Sequence, residues 1–232
     1  MNEILAAVGE AGRMIARFDP AVVDIVLLSL RVSLTAVLFA SLIGLPLGAA
    51  IAVGRFPGRR SLIVLLNALM GLPPVVVGLF VYLMLSRAGP LGELGILFTP
   101  AAMVVAQTIL IAPIVAALSR QVIEDAWQEY REQLQSLGAG PVNAALTLLW
   151  DTRFSLVTLV LAGFGRAAAE VGAVIIVGGN IDGVTRVMTT AIALETSKGE
   201  FAQGIALGVV LVVLALGVNV AMAILQGEGG MK

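Results

Sequence analysis

The chain has 232 residues, 59% hydrophobic and only 12% charged, with a mean hydropathy of +1.03 and a formal net charge of −1. That composition lies far outside the soluble range and marks an integral membrane protein, and the near-neutral charge excludes the basic footprint that gathers nucleic-acid phosphates. With no Cys and no His, the chain lacks the means for disulfides, a zinc site of the usual kind, haem on His or a Ser-His protease dyad. A carboxylate-only catalyst is conceivable but has little else to support it, so neither a metal site nor a catalytic residue is expected.

Residues 1–21 carry neither the basic start nor the continuous apolar run of a signal peptide. Glu3, Glu10, Arg13 and Arg17 recur at helical spacing on one face, with Leu5, Val8, Gly12 and Ile15 on the other. The segment reads as an amphipathic helix lying in the membrane interface, or as a frayed terminus, and Asp19-Pro20 ends it. A first span is expected over about 22–53, with Asp24 and Arg31 at its outer end. Its Gly44-Leu45-Pro46-Leu47-Gly48 patch suits close helix packing. Arg55, Arg59 and Arg60 then fill a short loop without an acid, which the positive-inside rule places in the cytoplasm. The second span, about 61–86, contains Pro73 and Pro74; two missing backbone donors require a kink or a break there. After a Gly-rich outer loop, a third span over about 100–118 includes Gln107, Thr108 and Pro113 and returns the chain to the inner side.

The stretch from Glu129 to Asp151 is too polar for the bilayer. Tyr130, Leu134 and Leu137, with Trp127 one turn earlier, form an apolar stripe on a short helix. Gly138 sits where a helix end wants positive φ, and Pro141 sits where the next helix begins. Two short helices joined at Gly138-Ala139-Gly140 are expected, either as a docking element or as an amphipathic linker. A fourth span, about 154–177, places Arg166 and Glu170 four residues apart at membrane depth, where each charge needs a partner or water. They read either as part of a pathway or gate, or as a structural ion pair between packed helices. The outer turn from Gly178 to Gly183 follows a helix and carries no Lys, unlike a phosphate loop. Val187, Ala191 and Leu194 stripe a short outer helix, a fifth span covers about 201–225, and a cytoplasmic tail is expected over 226–232. The fold class is therefore all-α integral membrane, with about five transmembrane helices and the N-terminus outside.

The loop pattern Glu132-Gln133-Leu134, three residues, then Gly138, between spans three and four, resembles the coupling loop of ABC importer membrane subunits, departing from it at both Ala positions and at the final Leu-Pro. Leu72 to Gly78 in the second span and Gly165 to Asn180 in the fourth resemble the molybdate and tungstate group of type I importer permeases. Thr185 to Ile192 and Glu195 to Gly199 look most like its tungstate branch. The resemblance spans 22–225 and implies an ABC transmembrane type-1 domain in the bilayer. It further implies a homodimer, a cytoplasmic ABC ATPase dimer holding the ATP and Mg, and an extracytoplasmic oxyanion-binding protein. No cofactor is expected on this chain. Tyr130, Glu132, Leu134, Leu137, Gly138 and Pro141 become the ATPase-coupling candidates; Pro73, Pro74, Gln107, Arg166 and Glu170 become the pathway or gate candidates. An ABC permease for another oxyanion or small solute, a secondary transporter, for which Glu170 is the candidate ion-coupling carboxylate, and a membrane scaffold remain as alternatives.

Overall fold

Asp19 and Pro20 separate two helices: the Asp19 carboxylate accepts the Ala21 N–H at 3.0 Å, and Pro20 occupies a first turn where its missing N–H costs nothing. In the computed structural model, which describes residues 2–229, these are α1 (Asn2–Ala16) and α2 (Pro20–Val53), followed by α3 (Arg59–Met70), α4 (Pro74–Leu85), a 3-10 turn (Gly92–Leu94) and α5 (Pro100–Ser136). Then come α6 (Pro141–Asp151), α7 (Arg153–Ala168), α8 (Gly172–Gly178), α9 (Met188–Lys198) and α10 (Phe201–Gly229). No strand occurs among the described residues. Three helices, α2, α5 and α10, are each long and apolar enough to cross a membrane, and the bent pairs α3–α4 and α6–α7 raise the number to as many as five.

The centre of the fold is the seam between α2 and α5. The Thr108 hydroxyl donates to the Ala36 carbonyl and the Ser119 hydroxyl to the Gly44 carbonyl, each at 3.4 Å. Both residue numbers rise together along the contact, so the two helices run parallel. Small residues permit this approach: a Cβ on Gly44 would lie 2.8 Å from the Val115 Cβ, and one on Gly48 would lie 2.7 Å from the Ala116 carbonyl oxygen. Close backbone approach is the usual means of holding helices together in lipid, where apolar burial gives no net drive.

The second span is broken as its prolines require. After Met70 the chain turns by 99° into α4, with Pro73 preceding the helix and Pro74 in its first turn. Neither proline has an N–H to leave unpaired. The third span is longer than expected. Rather than ending near residue 118, α5 continues as one helix to Ser136, because no Gly or Pro interrupts it after Pro113. The first of the two short helices expected around Gly138 is thus the last part of α5.

The fourth span departs from expectation in the opposite sense: it is interrupted at Ala169–Val171 between α7 and α8. The N-terminal helix also differs in the face it buries. Ala11, Met14 and Ile15 pack against α10 and the start of α2, while Val8 and Gly12 are exposed. The reason is size, since Ala11 allows α1 to sit close to Ala206 and Leu207. The side chains of Glu3 and Leu5, and the tail residues 230–232, lie outside the described residues. Outward-facing side chains on α10 include Val212, Val213, Leu216, Val220 and Ile224, an apolar surface suited to lipid.

Candidate functional site

Two helix breaks meet in the middle of the bundle. Val75, at the start of α4, lies so close to α8 that a Cβ on Gly172 would be 2.8 Å from its Cγ2. One turn further along, a Cβ on Gly78 would be 2.8 Å from the Cα of Ala173. The half-helices α4 and α8 therefore start side by side, and Gly172 and Gly78 are the residues that allow it. Pro73 and Pro74 thus stand next to the break that contains Glu170.

An interrupted helix at this depth exposes backbone groups that lipid cannot satisfy, and side chains from three elements take them up. Gln107 of α5 donates its Nε2 to the Ala167 carbonyl at 3.1 Å. Thr189 of α9 donates its hydroxyl to the Glu170 carbonyl at 2.8 Å. Glu170 caps the next helix itself, with Oε1 accepting the Ala173 N–H at 3.2 Å. Its other oxygen accepts from Arg166 Nη1 at 2.6 Å. Ser29 of α2 extends the cluster by accepting the Met188 N–H at 2.7 Å, which pins α9 to α2.

The ion pair is unequal. Glu170 is 4% exposed and Arg166 is 43% exposed, so the carboxylate depends on the guanidinium far more than the reverse. Gln107 Oε1 is buried with no hydrogen-bond partner in the protein. The cavity beside it, lined by Ser33, Gln107, Glu170 and Thr189 among others, measures about 10 Å³, room for a single water at most. Of the pathway candidates, Gln107, Arg166 and Glu170 come together directly, and Pro73 and Pro74 adjoin them through Val75. Sequence reasoning missed Thr189 and Ser29, whose polarity inside apolar stretches was the available signal.

The other candidate cluster lies at the far end of α5. Gly138 has φ +73° and ends the helix, and Pro141 opens α6. Tyr130 and Leu134 face inward, packed with Trp127 against the core that includes Ala144 and Leu148 of α6. Leu137 points the other way and is 82% exposed. The exposed apolar stripe is consequently not the expected Tyr130, Leu134 and Leu137. It consists of Leu137 with Val142, Leu146 and Trp150, each more than half exposed and spaced i, i+4, i+8 on α6. That spacing was present in the sequence. Glu132 is also exposed.

An ion network that the sequence reading did not single out fixes this end of the bundle. Arg59, at the start of α3, pairs with Glu124 of α5 at 2.8 Å and donates Nε to the Ile51 carbonyl of α2 at 2.7 Å. Arg120 holds the second oxygen of Glu124. Three helices are thereby joined at one carboxylate, and the Arg120–Glu124 spacing of four residues was the clue.

Broken half-helices meeting inside the bundle, an apolar outer surface and a separate exposed stripe define a multi-pass helical membrane protein. No protein-family model matches the chain. Individual relatives do. It is 43% identical over 202 residues to a probable anion ABC transporter permease protein of Haloferax volcanii, covering 85% of this chain and 87% of that protein. It is 38% identical over 228 residues to the tungstate uptake system permease protein TupB of Peptoclostridium acidaminophilum, covering 98% of this chain and 100% of TupB. The molybdenum transport system permease protein ModB of Escherichia coli K12 is 33% identical over 186 residues, 75% of this chain and 81% of ModB. The chain belongs to the permease subunits of ABC importers, in their tungstate and molybdate group.

Proposed function

We propose that two copies of this chain form the pathway of an ATP-driven importer for a tetrahedral oxyanion, tungstate first and molybdate second. The observation that carries the substrate is the similarity to a tungstate uptake permease over the whole of both chains. The homodimer is supported by the interior of one copy: the cavities at the helix break measure about 10 Å³ or less, too little for an oxyanion, so a pathway shared across a two-fold axis is the natural arrangement. Hydrolysis of ATP, with its Mg, belongs to a separate ATPase dimer, because this chain has no Gly-rich loop ending in Lys-Ser or Lys-Thr. An outer binding protein delivers the anion.

In this reading the N-terminus is outside, the Arg55–Arg60 loop and α6 are cytoplasmic, and the ATPase sits on Leu137, Val142, Leu146 and Trp150. Closure of the ATPases pushes α6, and the bundle rocks about the breaks at Pro73–Pro74 and Ala169–Val171. Few fixed charges line the spans, which suits a pathway that passes a dianion without trapping it.

Uptake into liposomes holding the permease, its ATPase, its binding protein and ATP is expected for tungstate and molybdate. Transport of an amino acid or a sugar, with neither oxyanion taken up, would sink the substrate assignment. The docking role has its own test. Leu146→Glu places a charge in the middle of an apolar contact and is expected to weaken ATPase binding roughly tenfold or more, while the permease still inserts and folds. Undiminished co-purification of the ATPase with that variant would move the docking surface elsewhere.

A further inference from the structure

The 73° turn between α6 and α7 at Thr152 opens an apolar groove against α2 that neither helix closes. It encloses about 550 Å³ and is walled by Leu42, Leu45 and Pro46 of α2 and by Leu156 and Val160 of α7. Arg153 stands at its α6 end as the one cation in the lining. The guanidinium lies 4.9 Å from the Trp150 ring centre and 4.8 Å from that of Phe154, and Nη1 donates to the Trp150 carbonyl at 2.8 Å. No carboxylate pairs with Arg153 among the described residues.

We propose that this groove binds one anionic phospholipid of the surrounding bilayer, an acyl chain lying between α2 and α7 and the phosphate on Arg153. Chemistry at the two ends of the groove differs as the two ends of a lipid differ. The walls are apolar except for Ser41, whose hydroxyl is buried without a partner, whereas the mouth holds a cation with hydrogen-bond donors to spare and no acid among the described residues to neutralise it. Arg flanked by aromatic rings is the composition of a membrane-interface anchor, and basic pockets between spanning helices suit anionic headgroups. Such a lipid would brace α6 against α2 at the end of the bundle that carries the exposed stripe. The inference rests on the chain's being a membrane permease and is independent of what it transports.

The test reads lipid and not transport. The full-length permease is incorporated in nanodiscs of equal phosphatidylcholine and phosphatidylglycerol, released, and the retained lipid is counted by native mass spectrometry. The expected result is one phosphatidylglycerol per chain, preferred about fivefold, the factor expected of one basic residue near an anionic headgroup. Arg153→Lys should keep that preference, Arg153→Gln should bring it to about one, and Val160→Phe, which fills the groove, should lose retained lipid of both kinds. Equal retention of both headgroups by the parent, or an unchanged preference in Arg153→Gln, overturns the proposal. So does efficient disulfide cross-linking of two copies through Leu42→Cys in this Cys-free chain with no lipid retained, since a second copy would then cover the groove.

Discussion

Arg166→Met is expected to lower stability by about 2–3 kcal/mol, below the full range for a buried pair because Arg166 is itself 43% exposed, yet substantial because the buried Glu170 is left uncompensated. The direction follows from the unequal burial of the two groups: Glu170 is 4% exposed and keeps only the Ala173 N–H when the guanidinium goes. Glu170→Gln should cost less, about 1–2 kcal/mol, because the amide oxygen can still cap α8 and the half-exposed Arg166 can turn toward water. The double variant should therefore be more stable than Arg166→Met alone. Unfolding of the solubilised protein by SDS, followed by helical circular dichroism, gives the comparison. Additive losses in the double variant would show that the two side chains act independently.

Gly48→Val should be damaging for a steric reason. A Cβ at this position already meets the Ser119 hydroxyl and lies 2.7 Å from the Ala116 carbonyl and 2.9 Å from the Arg120 nitrogen. Two of those three neighbours are backbone, so the clash is relieved only by moving α2 off α5, at a cost at or above the roughly 3 kcal/mol upper end for overpacked cores. Gly208→Val on α10 is the matched control, since a Cβ there meets nothing within 4 Å. Thermal aggregation midpoints of the two variants in the same detergent should differ by many degrees. Equal midpoints would mean that the α2–α5 seam does not limit stability.

Much of this architecture was legible because its signals are chemical. Pro73 and Pro74 lack donors, and the chain bends by 99° where they stand. Gly138 was read as a positive-φ helix end and has φ +73°. The break at Ala169–Val171 was not legible, because Ala-Ala-Ala-Glu is strongly helix-forming and nothing local forbids its continuing. It exists through tertiary partners distant in sequence, Gln107 and Thr189, which replace the lost helical hydrogen bonds. The same limit explains α1, where period alone leaves several apolar faces open and the small size of Ala11 settles which one packs. On α6 the spacing of Val142, Leu146 and Trp150 was visible, but which apolar face turns outward depends on Ala144 and Leu148 fitting against the core.

The length of α5 gives the two candidate clusters a mechanical relation. Gln107, holding the helix break, and Tyr130, packed beside α6, belong to one uninterrupted helix and stand roughly 35 Å apart along its axis at 1.5 Å per residue. Under the proposed function, a helix of that span would serve as a lever, with the glycine seam against α2 as its bearing. A tilt of about 5° about that seam, which meets α5 near Val115–Ser119 and lies roughly 15 Å along the axis from Gln107, moves the Gln107 end by about 1.3 Å, enough when directed along the 3.1 Å Gln107–Ala167 hydrogen bond to carry it beyond bonding distance. In the transport cycle proposed above, a push delivered at α6 would thus reach the opposite end of the rod and loosen the bond that holds the interrupted helix in place.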